Sequence, residues 1–124
     1  MKKLLCMFIC AVFLVTLGGC KGTERIRKNL IEAGYKVEDM SENKIHDLNN
    51  DVIYQYNGKG TIINGFFATD KYGNNVFVLE FSDREDMSIS YMEIKAQLQN
   101  GQSIDIKGKT IVYGIEDGVK IALK

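Results

Sequence analysis

The sequence predicts an α+β domain: an antiparallel sheet of about five strands with two helices, and a third where the carboxyl end is read as helical, packed on one face. Three observations carry this. Thr61 to Thr69 (TIINGFFAT) and Val76 to Phe81 (VFVLEF) are apolar runs joined by Asp70 to Asn75, whose Gly and Asn residues accept positive φ, the pattern of a β-hairpin. Past Ser82, Met87, Tyr91, Ile94 and Leu98 recur at i, i+4, i+7 and i+11, which places one apolar stripe on a helix. The 124 residues, 45% hydrophobic and 26% charged with zero formal net charge, suffice for one core; that balance excludes a disordered chain and a strongly basic nucleic-acid binder.

The other elements follow in order. Thr23-Glu24-Arg25-Ile26 opens an amphipathic helix with Ile26, Leu30, Ile31 and Ala33 on its inner side, and Gly34 ends it. Arg25, Arg27 and Lys28 face either anionic lipid headgroups or solvent. Tyr35 to Glu38 alternates as a first strand, and the polar stretch Ser41 to Asn50 (SENKIHDLNN) reads as a loop. Ser82-Asp83-Arg84-Glu85 has the form of a capping box for the long helix, which stops at Asn100-Gly101. Gln102 to Ile106 and Thr110 to Tyr113 are two strands around Gly108. The tail Ile115 to Leu123 reads as helix or strand, with helix favoured.

The amino terminus has a different character. Met1-Lys2-Lys3 is basic, and the 14 residues Leu4 to Leu17 carry no charge. A membrane-crossing helix needs about 20 apolar residues, so this run has the length and flanks of an export signal. It is followed by Leu17-Gly18-Gly19-Cys20, which resembles the lipobox of bacterial lipoproteins. The resemblance implies that the Cys20 thiol takes a diacylglyceryl group, that signal peptidase II cuts between Gly19 and Cys20, and that Cys20 becomes the new amino terminus. Residues 1–19 would then be signal peptide, 20–22 lipidated anchor and tether, and 23–124 a single domain on the extracytoplasmic face of the cell membrane, its lipid partner held through diacylglyceryl-Cys20. Cys6 and Cys10 would leave with the signal, so the mature chain would have no free thiol, disulfide or cysteine-ligated metal. Loss of Lys2 and Lys3 leaves 14 basic against 16 acidic side chains.

From the hairpin onward the chain also resembles small uncharacterised secreted or lipid-anchored bacterial α+β proteins. The likeness rests on a strand ending near Phe81 and Asp83, a following helix, and the closing segment Gly108-Lys109-Thr110-Ile111-Val112-Tyr113-Gly114. It implies fold and compartment and carries no activity.

Motifs that could carry chemistry fall short. Gly108-Lys109-Thr110 is not a phosphate-binding loop, because Ser103 stands where that motif needs glycine. Asp47, Asn49 and Asp51 alternate as calcium ligands do, yet Val52 and Gly58 occupy the positions that demand Gly and Glu, which excludes an EF-hand and leaves only a weak, non-standard site. His46 stands alone and reads as a surface residue. Asp83, Glu85 and Asp86 suit the positive end of a helix dipole. Both hairpin strands are apolar on both sides, with Phe77, Leu79 and Phe81 opposing Val76 and Val78, and Ile62 and Phe66 opposing Ile63 and Phe67. The second side therefore needs a cover, supplied by Ser41 to Asn57, by the terminal helix, or by a partner.

The expectation is a lipid-anchored extracytoplasmic accessory module that acts by binding, with an envelope protein as partner, no nucleic acid, no cofactor and no metal. The alternatives are a small envelope hydrolase using carboxylates such as Asp70 or Glu80, and an inhibitor or immunity-type protein using an apolar sheet face.

Overall fold

A computed structural model of the chain describes residues 21–124. Its elements are α1 (Lys21–Glu32), β1 (Lys36–Asp39), α2 (Glu42–Tyr56), β2 (Ile62–Thr69), β3 (Asn75–Phe81), α3 (Arg84–Gln97), β4 (Gln102–Lys107), β5 (Thr110–Ile115) and α4 (Glu116–Ala122). The five strands form one antiparallel sheet in the order β1-β2-β3-β5-β4. The α+β class and the five-stranded sheet are as the sequence predicts.

The helices are placed differently. Among the described residues four are present, two on each face of the sheet, because the central strands are apolar on both sides and a single layer would leave one set in water. On one face Ile26 and Leu30 of α1 and Val119 and Ala122 of α4 pack on Phe66, Ala68, Val76, Val78 and Val112. On the other face Val52 of α2 and Met87 of α3 pack on Ile62, Leu79, Phe81 and Ile111. The second cover foreseen for the hairpin is thus supplied twice: the segment after Ser41 takes one side and the terminal helix the other.

The segment read as a loop is helix α2. Ile45, Leu48 and Val52 fall at i, i+3 and i+7, one side of a helix, and the polar residues between them hide the stripe. Ser41 caps the start, its Oγ accepting from the Lys44 amide at 3.1 Å, and Asn57, at φ 62°, closes the end in the left-handed region that Asn tolerates.

Three smaller corrections share one cause, which is that spacing alone does not fix phase. Helix α1 spans Lys21–Glu32, so Lys21 and Gly22, the described part of the expected tether, are helical; Ile31, assigned to its inner side, is 53% exposed. The cap of α3 is Asp83 and not Ser82: Asp83 Oδ2 accepts from the Asp86 amide at 3.2 Å. A bulge between Ile62 and Asn64 turns Ile62 toward the α2/α3 side and Phe66 toward α1/α4, leaving Ile63 58% exposed.

Close approach seals the α1/α4 face. A Cβ on Gly118 would overlap the Val76 side chain, so α4 sits closer to β3 than any other residue would permit. Arg27, expected on the outer side of α1, turns inward: its guanidinium lies 4.5 Å from the centre of the Phe66 ring and pairs with Asp39 at 2.7 Å.

Candidate functional site

The α2/α3 face leaves one end of the sheet open. The strand registers align Glu38, Phe67, Phe77, Tyr113 and Ile104 as one row across all five strands. Alternation puts this row on the α2/α3 side, beside Leu79 and Ile111. Phe77 and Tyr113 stack at 5.1 Å between ring centres, and Phe67 tilts against Phe77 at 6.1 Å. All three rings are half-buried.

The two helices do not close over this row, and a groove runs between them. Its first lobe, about 220 Å³, lies between Asp51, Gln55 and Tyr56 of α2 and Glu93, Ile94 and Gln97 of α3, with Leu79 and Tyr113 beneath. A second lobe of about 180 Å³ shares Ile94, Gln97 and Tyr113 and reaches Phe77, Leu98 and Gln102. Floor and rim differ in chemistry. The floor is aromatic and aliphatic; burial pushes the Tyr113 hydroxyl above its ordinary value. The rim carries two carboxylates from facing helices. Asp51 accepts from Gln55 Nε2 at 3.3 Å, and Glu93 accepts from Gln97 Nε2. Asp51, Tyr56 and Glu93 line one mouth of this lobe, where desolvation first, and then the nearby Glu93 and Asp51 carboxylates, push the Tyr56 hydroxyl above its ordinary value.

The loop that positions α2 over the sheet is held by a buried carboxylate. Asp86, 1% exposed, accepts from the Lys59 amide at 2.9 Å and from the Thr61 amide and hydroxyl at 2.8 Å each. Burial alone would raise its pKa; the bonds from Lys59, Thr61 and Gly60 outweigh that and hold it below the ordinary carboxylate value. Asn49 adds a second fastening, accepting from the Ile62 amide at 2.8 Å and donating to its carbonyl at 3.0 Å.

The residues singled out in the sequence are dispersed. Leu17, Gly18, Gly19 and Cys20 lie outside the described residues. Asp70 binds the hairpin turn, accepting from the Tyr72 and Asn74 amides at 2.9 Å each and from Asn74 Nδ2 at 3.0 Å. Glu80 stands opposite Asn64 and Thr110, five residues along β3 from the turn, or ~17 Å at strand spacing, so the two carboxylates do not converge. His46 is an exposed residue of α2 beside a shallow hollow shared with Met40, Glu42 and Ile63. Asp47 and Asp51 lie one turn apart on one side of the same helix while Asn49 turns away from them to bond Ile62, and among the described residues no cluster of three or more His, Cys, Asp or Glu is arranged to hold a metal. Gly108-Lys109 is the turn between β4 and β5, with Gly108 at φ 63°. The meeting of Asp51, Glu93 and Tyr113 was hidden in the sequence, since it required α2 to be seen as a helix.

Compared with known proteins, the chain matches no family model, no curated protein and no solved structure. Among the described residues no helix is long and apolar enough to cross a membrane.

Proposed function

We propose that the chain is a bacterial lipoprotein, anchored through diacylglyceryl-Cys20 at the extracytoplasmic face of the cell membrane, and that it acts there as a binding or accessory module through the α2/α3 groove. The observation that carries the binding part is the half-open groove itself: an aromatic floor continuous with the sheet and bordered by polar side chains, on a domain whose opposite face is sealed. The anchor rests on the basic start, the uncharged run and Leu17-Gly18-Gly19-Cys20. Two acyl chains hold a protein stably where one gives marginal binding.

A second reading, a small hydrolase, draws on the two carboxylates at one groove. Asp51 is exposed on the rim and already held by Gln55, open to water and not enclosed around a substrate, so binding is the better account.

The test places a photo-crosslinker at Gln97, in the groove, and at Lys120, on α4, in cells. Capture of one envelope protein from Gln97 but not from Lys120 is the expected result; equal capture from both would remove the groove from the function. For the anchor, Cys20→Ser should move the chain out of the membrane fraction or leave an uncleaved precursor. An unmodified Cys20 within the mature chain by mass spectrometry would refute the lipoprotein assignment.

A further inference from the structure

We infer that the groove takes an arginine side chain flanked by apolar residues, presented by an extended segment of a partner polypeptide. The inference rests on the reading of the groove as a binding surface and assigns its chemistry. Asp51 of α2 and Glu93 of α3 line the same lobe over an apolar floor, and no cation lines either lobe. Neither carboxylate belongs to any of the ion pairs among the described residues, which are Arg27–Asp39, Lys28–Glu32, Lys59–Asp83 and Lys120–Glu116. Each accepts from an amide on its own helix, Asp51 from Gln55 and Glu93 from Gln97, and Tyr56 lines the same lobe. Two like charges over an apolar slot repel one another and repel anions; they favour a cation whose stem is aliphatic.

Arginine fits this description better than lysine. Its planar guanidinium reaches two carboxylates at once and stacks on aromatic rings, while its methylenes lie along Ile94 and Tyr113. The chain already contains the same arrangement on its sealed face, where the Arg27 guanidinium lies between the Phe66 ring and the Asp39 carboxylate. The second lobe, toward Phe77 and Leu98, extends the groove past the carboxylates and suits the apolar neighbour of that arginine, which favours a peptide over an isolated small amine.

The test uses the full chain in phosphatidylcholine nanodiscs, titrated with three probes followed by amide NMR shifts: acetyl-Leu-Arg-Leu-amide, acetyl-Leu-Glu-Leu-amide and decanoate. The Arg peptide should shift the amides around Glu93, Gln97 and Tyr113, and the Glu peptide should not. Combining Asp51→Asn with Glu93→Gln should weaken the Arg peptide about tenfold or more, as should added salt, with the unfolding midpoint unchanged. Equal binding of both peptides, an unaffected double variant, or decanoate as the only binder would overturn the assignment. If the Arg peptide fails while crosslinking from Gln97 still captures its protein, the cation chemistry falls and the binding reading stands; if both fail, the groove is not the binding surface.

Discussion

The two faces of the sheet are built to different standards. Beneath α1 and α4, ten side chains form a continuous buried cluster in which Ile26, Leu30, Ala68, Val76 and Val112 have no exposed surface. Beneath α2 and α3 only six are buried, and Leu48, Tyr91, Ile94, Ile104 and Tyr113 are left partly in water. The cause is local. Gly118 and Ala122 let α4 lie directly on the strands, whereas the stacked rings of Phe77 and Tyr113 line the groove beside α3, with Tyr113 also beneath α2. A face that is closed supplies stability; a face with uncovered aromatic surface has free energy left for a partner.

The largest expected effect lies on the sealed face. Phe66 is 1% exposed, in contact with both layers of that cluster and with the Arg27 guanidinium, so Phe66→Ala should cost about 3–5 kcal/mol, read by denaturant unfolding of residues 21–124, which hold every member of both clusters. A loss under about 1 kcal/mol would mean that the face is not the stabilising one.

Asp86 comes next, because it ties the loop after α2 to the start of α3. Asp86→Asn removes acceptor capacity from buried amides and should cost about 1–3 kcal/mol at neutral pH. The pH dependence has a definite sign. The folded-state pKa is depressed, so the contribution of Asp86 is fully present above its unfolded value near ~3.9 and is lost as pH falls through the lower, folded value. Asp70 adds in the same direction: burial raises it, but the bonds from Asn74, Tyr72 and Gly73 prevail and lower it. The Asn variant should therefore show a shallower acid limb than the parent chain. Identical limbs would detach Asp86 from acid unfolding.

The smallest effects belong to the rims. Leu98, expected from its spacing to be core, sits half-buried just past the last turn of α3 at the end of the groove, so Leu98→Ala should cost about 1 kcal/mol instead of the 2–5 of a buried leucine. Ile31→Ala on the outer side of α1 should change stability by less than about 0.5 kcal/mol. A Leu98→Ala loss near that of Phe66→Ala would erase the contrast between the faces.

Local signals were strong where the chain itself supplies both partners of an interaction. The hairpin around Gly73, the stripe of Met87, Tyr91 and Ile94, and the stop at Gly34 each depend on residues within a few positions, so the strands and the long helix are legible from sequence. The terminal helix, at Glu116–Ala122, was legible as the favoured reading of an ambiguous tail. What the sequence could not determine are matters of phase and face. Helix α2 shows one stripe of three aliphatic residues, Ile45, Leu48 and Val52, among many polar ones, and only packing on Ile62 and Leu79 makes that stripe pay for ordering fifteen residues. The bulge at Ile62–Asn64 reverses which strand residues look toward which helices, and periodicity of two is blind to a single inserted residue. Asp51 and Glu93 are 42 positions apart in the chain; their meeting above Tyr113 exists only because α2 and α3 share one face of the sheet, a choice made by the tertiary burial of both sides of β2 and β3.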